Sequence, residues 1–173
     1  GQSGGRYAGC RVSECSAGNL IADAYRAAGG AAIGVSNGGE IQGSLAAGAV
    51  TTGDVAQMLS FVNNDLVVVH NVTAAVLRAV LANAVKKLAL ADVVADPDGR
   101  FLQVSGVRFE WGFRLDGTAE VRLVEVENAA GAYEDLAAAA AAGRVFSIAT
   151  TSYIANGGDE FSMLAGLPRR TVG

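Results

Sequence analysis

The hydrophobic pattern of this chain changes period partway along, and that change limits the folds open to it. In the first half, apolar residues recur at helical spacing: Leu20, Ala24 and Ala28 in one stretch, and Val76, Leu77, Val80, Leu81, Ala84, Val85 and Leu88 in another. Each set forms a single stripe that a helix buries against a core. From Phe101 onward the alternation has period two, and residues 103–114 and 120–127 read as strands around the turn Asp116-Gly117. Adjacent Leu123 and Val124 break the second strand's alternation as a β-bulge does. Helices alternate with strands first and hairpins dominate later, which makes the class α+β with at least partly antiparallel pairing.

Local signals fill in the intervening elements. Gly29-Gly30 ends the first helix, and residues 31–36 read as a short buried strand leading into the turn Asn37-Gly38-Gly39. Thr52 is expected to cap a helix over residues 55–59, with Phe61 just beyond it. The run Leu66-Val67-Val68-Val69-His70 is typical of a strand covered on both faces. Thr73 is placed to cap the long helix that follows, which carries Lys86 and Lys87 toward its negative C-terminal end. Asp96-Pro97-Asp98-Gly99 reads as a turn, the alanine-rich residues 134–143 as a surface helix and residues 145–150 as a strand. Asn156-Gly157-Gly158-Asp159 is expected to be a tight turn, since paired glycines cost roughly 2 kcal/mol inside a helix.

Composition excludes several classes of function. The chain has 173 residues, which fits one domain. Its 17 acidic residues outnumber 13 basic ones that are scattered rather than clustered, so neither nucleic acid nor an anionic membrane is an expected partner. No apolar run approaches the roughly 18 residues that span a bilayer. The start Gly1-Gln2-Ser3-Gly4-Gly5 lacks the basic and apolar regions of a signal peptide, and the chain is expected to be a piece of something longer. A single histidine, His70, cannot build a dinuclear metal centre, and within its strand-like apolar run it reads as a structural residue rather than a triad member.

Four segments carry a more specific signal. They are Cys10-Arg11-Val12-Ser13-Glu14-Cys15 running into Ser16-Ala17-Gly18-Asn19-Leu20-Ile21-Ala22-Asp23, then Ser36-Asn37-Gly38-Gly39-Glu40-Ile41-Gln42, Leu59-Ser60-Phe61-Val62-Asn63-Asn64, and Ala155-Asn156-Gly157-Gly158-Asp159-Glu160-Phe161. In this order they resemble the C-terminal domain of the 5'-nucleotidase family, over roughly residues 10 to 165. Residues 1–9 then read as a linker and 166–173 as a tail. The resemblance implies a four-layer α/β/β/α arrangement. It also implies a role: substrate recognition for a phosphoesterase whose two divalent metal ions are held in a separate N-terminal domain of the same polypeptide. The chain alone is expected to be inactive.

The resemblance assigns roles residue by residue. Phe61 and Phe161 match two rings that sandwich a nucleobase, where stacking contributes about 1–3 kcal/mol per contact. Taken singly, either is as readily an ordinary core residue. Asn37 matches an asparagine that contacts base or ribose, with donor and acceptor on one side chain, although Asn before Gly-Gly is also simple turn chemistry. Arg11 matches an arginine that reaches the phosphate, a task suited to the planar guanidinium fork; the alternative is a surface arginine. Cys10 and Cys15 are expected to be bonded, closing a loop worth about 2 kcal/mol and pointing to a secreted, periplasmic or cell-surface location. Two free thiols, or half of a metal site, are the alternatives.

The chain also departs from the family pattern. Gln42 stands where many relatives carry an arginine, so it fills a phosphate-contacting place with a neutral amide. Ser60 and Val62 replace the Pro and Gly that usually flank the stacking Phe, and Glu160 replaces a common Gly. The function expected is nucleoside or nucleotide recognition in nucleotide catabolism. The rival is a non-catalytic binding or interaction module that kept the fold and lost nucleotidase specificity.

Overall fold

The computed structural model describes residues 9–59, 64–88 and 98–173. A five-stranded mixed sheet has the order β3-β1-β7-β2-β8, and a three-stranded antiparallel sheet the order β4-β5-β6. In the first, β1 (Ile33–Asn37) runs parallel to β7 (Phe146–Thr151) and antiparallel to β3 (Leu102–Ser105), while β2 (Leu66–Val72) pairs antiparallel with both β7 and β8 (Arg169–Thr171). In the second, β5 (Ala119–Glu127) lies between β4 (Val107–Phe113) and β6 (Tyr133–Asp135). With helices packed on both sheets, this is the α+β class anticipated from the change of period.

The helices end where side chains and glycines satisfy their exposed backbone groups. The short α1 (Gly9–Val12) leads through Cys15 into α2 (Ser16–Gly29), whose first turn is capped by Cys15 Sγ accepting from the Gly18 N–H. Gly30, at φ 55°, closes α2 in the left-handed conformation that favours glycine. In α3 (Thr52–Met58) the cap is Thr51, not Thr52, because only Thr51 completes a reciprocal capping box with Asp54. Thr73 caps α4 (Ala74–Val85) as expected, and Asp135 caps α5 (Leu136–Ala141).

One continuous core joins the two sheets. α2 lies on the five-stranded sheet against β1 and β3, and α4 packs against β5 of the smaller sheet. Leu77, Leu81, Ile33, Val35, Ile148 and Val124 are fully buried in that core, each contributing on the order of 1.5–3 kcal/mol relative to exposure.

Three further expectations change. Residues 103–114 are two strands in different sheets, because the chain pivots at Gly106 (φ 75°). Residues 169–171, expected to lie in a tail, form the edge strand β8. The stretch 156–159 is more than a turn: α6 (Ser152–Ala155) precedes it, a single 3-10 turn spans Gly158–Glu160, and α7 (Ser162–Ala165) follows. The bulge is present, with Glu110 opposite Leu123 and Trp111 opposite Val121, so that Arg122 is the extra residue.

Candidate functional site

The site forms where β1 ends. All five β1 residues are buried, so Asn37 arrives at the strand's C-terminal end inside the protein and the chain must turn there. The Gly38 N–H donates to the Phe101 carbonyl at 2.7 Å and the Gly39 N–H to the Gly99 carbonyl at 2.8 Å. Gly38 is required by space: a Cβ there would stand 2.1 Å from the Cys10 carbonyl oxygen.

The disulfide Cys10–Cys15 is formed, with Cα atoms 5.2 Å apart. Its loop is held by Gln103, whose Nε2 donates to the carbonyls of Cys10 and Ser13 and whose Oε1 accepts from the Cys15 N–H. α1 thereby delivers Arg11 to the crossing of the two glycine segments. Arg11 is buried, and its Nη1 lies 2.8 Å from where a Cβ on Gly99 would be. Gln42 is exposed at the other side of the turn, with Nε2 donating to the Gly39 carbonyl, so this donor is engaged by its own loop.

Two further segments converge on Asn37. Its Nδ2 donates to Asp159 Oδ2 at 2.8 Å. Asp159 Oδ1 accepts from the Tyr153 hydroxyl at 2.8 Å, and the Asp159 N–H donates back to that hydroxyl at 3.2 Å. The Asp159 carbonyl accepts from Asn83 Nδ2 on α4 at 2.9 Å, and Asn83 Oδ1 accepts from buried Arg100. Tyr153 itself is 44% exposed, and its ring lies against the backbone of Gly158, where an added Cβ would meet Cε1, Cζ and Cε2 at 2.5 to 2.6 Å.

The motif's two phenylalanines fare differently. Phe61 lies outside the described residues. Phe161 has no exposed surface and packs in the main core, so in this structure it offers no ring face to a ligand and supports the turn from beneath. Among the described residues the aromatic ring linked to Asn37, through Asp159, is that of Tyr153. Position in a motif could not separate two rings on either side of one turn. The available signal was polarity, since the ring with a hydroxyl is the one suited to a half-wet position.

Electrostatics around the turn are equally specific. Glu160, at φ 65°, is engaged by Lys86, Lys87 and Arg100, and hydrogen bonds from these cations pull its carboxyl down to about 2. Glu40 sits behind the Asn-Gly-Gly turn, buried, accepting from the hydroxyls of Tyr25 and Ser36, and burial pushes its carboxyl upward. Among the described residues no group of three His, Cys, Asp or Glu side chains could hold a metal ion.

A family model described as the 5'-nucleotidase C-terminal domain matches residues 2–166. The crystal structure of a 5'-nucleotidase precursor from Thermus thermophilus superposes with a TM-score of 0.73 at 34% identity, covering 95% of this chain and 31% of that one. The NAD nucleotidase of Haemophilus influenzae superposes at 0.72 over 97% of this chain and 31% of its own, and at 18% identity it shares the fold. The trifunctional nucleotide phosphoesterase YfkN of Bacillus subtilis (strain 168) is 28% identical over 157 residues, which are 88% of this chain and 10% of that protein. The chain thus spans about a third of the solved relatives and a tenth of YfkN, and it belongs to the 5'-nucleotidase C-terminal domain family.

Proposed function

We propose that this chain recognises the nucleoside part of a substrate for a 5'-nucleotidase-type phosphoesterase, with the base stacked on Tyr153 and a polar edge of the ligand on Asn37. The observation that carries this reading is the pairing of a 44% exposed tyrosine ring with a nearly buried asparagine through one shared carboxylate, Asp159. A flat heterocycle gains stacking energy on such a ring whatever its identity, on the order of 1–3 kcal/mol. Phe61 is proposed as the second ring of the sandwich.

Arg11 is the proposed phosphate contact and Gln42 its neutral companion. Hydrolysis and the two divalent metal ions are assigned to an N-terminal metallophosphoesterase domain of the same polypeptide, because one histidine and no three-ligand group among the described residues do not fit such a centre. The disulfide supports a secreted, periplasmic or cell-surface location. The alternative, an interaction module that has lost nucleotide specificity, is favoured by one observation: Gln42 brings no charge and is engaged by its own turn.

Calorimetric titration of adenosine and adenosine monophosphate into the purified chain tests the choice. The nucleoside reading expects weak binding of both with little preference for the phosphate. Heat from neither ligand at millimolar concentration favours the module.

A further inference from the structure

β8 lies beyond residues 2–166, which the family model matches, and its backbone is firmly fixed. Arg169, Arg170 and Thr171 pair with Val69, Val68 and Val67 of β2. On either side of them the His70 N–H donates to the Pro168 carbonyl at 2.7 Å and the Val172 N–H to the Leu66 carbonyl at 2.8 Å. From this strand the Arg169 side chain reaches back to both shoulders of the turn over residues 157–160. Its Nη1 donates to the Ala155 carbonyl at 2.8 Å and to Asn156 Oδ1 at 2.7 Å, at the end of α6. Its Nη2 donates to the Ala165 carbonyl at 3.3 Å, at the end of α7.

The need for such a bridge follows from the length of the two helices. α6 and α7 have four residues each, and neither has a side-chain cap at its N-terminus. A single turn fixes more dihedrals than its few hydrogen bonds offset, and its last carbonyls are left for a cation to satisfy. One planar guanidinium shared between two such ends sets their spacing, a task to which the point charge of a lysine is less suited. The stretch between the shoulders adds load, since Gly157, Asp159 and Glu160 have φ of 95°, 50° and 65°, a region that only the glycine enters freely. Tyr153 stands on the first shoulder, in α6.

We infer that Arg169 is a positioning residue: by bridging the ends of α6 and α7 it holds Tyr153 in place without touching the ligand, so the C-terminal strand belongs to the recognition machinery. The inference rests on the nucleoside reading for its consequence and on these contacts for its geometry. The neighbouring Arg170 is an internal control, because its guanidinium donates instead to the Gly29 carbonyl at the end of α2, at 2.6 Å.

The test compares Arg169→Ala, Arg169→Lys and Arg170→Ala with wild type at a temperature where all are folded. It reads adenosine affinity, and amide hydrogen exchange without ligand at Asn156, Gly157 and Leu167, whose N–H groups close the two turns on Ser152, Ile154 and Leu164. Arg169→Ala should bind adenosine about tenfold more weakly and exchange these amides about tenfold faster. Arg169→Lys should fall between it and wild type. Arg170→Ala should match wild type in both readouts, even where its melting temperature drops as far, whereas a role in stability alone would move both arginine variants together. Should Arg169→Ala fail to fold, Arg169→Gln takes its place with the same expected direction. Unchanged adenosine affinity in the Arg169 variant, or an equal loss in Arg170→Ala, overturns the inference and leaves the nucleoside reading standing. If wild-type protein binds no adenosine, the nucleoside reading falls and exchange decides alone: faster exchange in the Arg169 variant only sustains the bridge, and any other pattern overturns it.

Discussion

Asn37 and Asp159, 122 residues apart in sequence, are joined by a 2.8 Å hydrogen bond that ties the end of β1 to the Gly-Gly-Asp turn. The bond brings the second and last of the motif segments into one site. Replacing Asp159 by Ala leaves the Asn37 amide and the Tyr153 hydroxyl without their acceptor. The amide is nearly buried, so the loss should cost about 1–3 kcal/mol of stability. Denaturant unfolding of wild type and Asp159→Ala measures it, and a difference near zero would show that the contact holds nothing together.

Glu40 gives the protein a pH dependence of definite sign. Burial raises its carboxyl above the ordinary value, opposed only in part by the Tyr25 and Ser36 hydroxyls. The native state therefore holds this proton at pH values where the unfolded chain has released it. Stability from this group is full below the unfolded pKa and is lost as pH rises through the folded one. Thermal melts from acid to neutral pH should show that decline in wild type and a flatter profile in Glu40→Gln, whose amide can still bond both hydroxyls.

Glu160 acts in the opposite direction. Its pKa is pulled to about 2 by Arg100, Lys86 and Lys87, so its contribution is present above the unfolded carboxylate range and lost as pH falls through about 2. The carboxylate is also carried on backbone at φ 65°, which glycine adopts more readily. Added salt screens the exposed pairs and leaves the backbone preference untouched. Glu160→Gly should accordingly gain in melting temperature relative to wild type as salt rises to about 0.5 M, and a constant difference across salt would locate the effect elsewhere.

Gln42→Arg should strengthen binding of adenosine monophosphate and leave adenosine nearly unchanged. A charge-assisted hydrogen bond to a partly buried anion contributes about 1.5–3 kcal/mol, and the gain should shrink with salt. Equal effects on both ligands would mean that position 42 does not face a phosphate.

The elements most legible in the sequence were those with local chemistry of their own. The apolar stripe of α4 and its cap Thr73, the Gly30 stop of α2 and the bulge at Arg122 follow from period, capping and broken alternation. The division of residues 103–114 between two sheets was missed although the alternation changes phase at Gly106, from Leu102 and Val104 before it to Val107, Phe109 and Trp111 after it. β8 left no hydrophobic period, since all three of its residues are exposed. At the site, Asn37 and Arg11 were placed by their motifs, and the structure brings both to the same turn. Tyr153 was passed over because the choice between two rings flanking one turn depends on which one the core absorbs. That choice is set by the main core, which absorbs Phe161 and leaves Tyr153 at the surface.

The central claim is that a nucleoside docks on Tyr153 beside Asn37, and amide chemical-shift mapping of adenosine on wild type and Tyr153→Ala tests it most directly. The account predicts shifts at residues 37–42 and 153–160 and at Phe61, with the alanine variant binding weaker by about 1–3 kcal/mol. Shifts that fall elsewhere, or an affinity that Tyr153→Ala leaves unchanged, would contradict it.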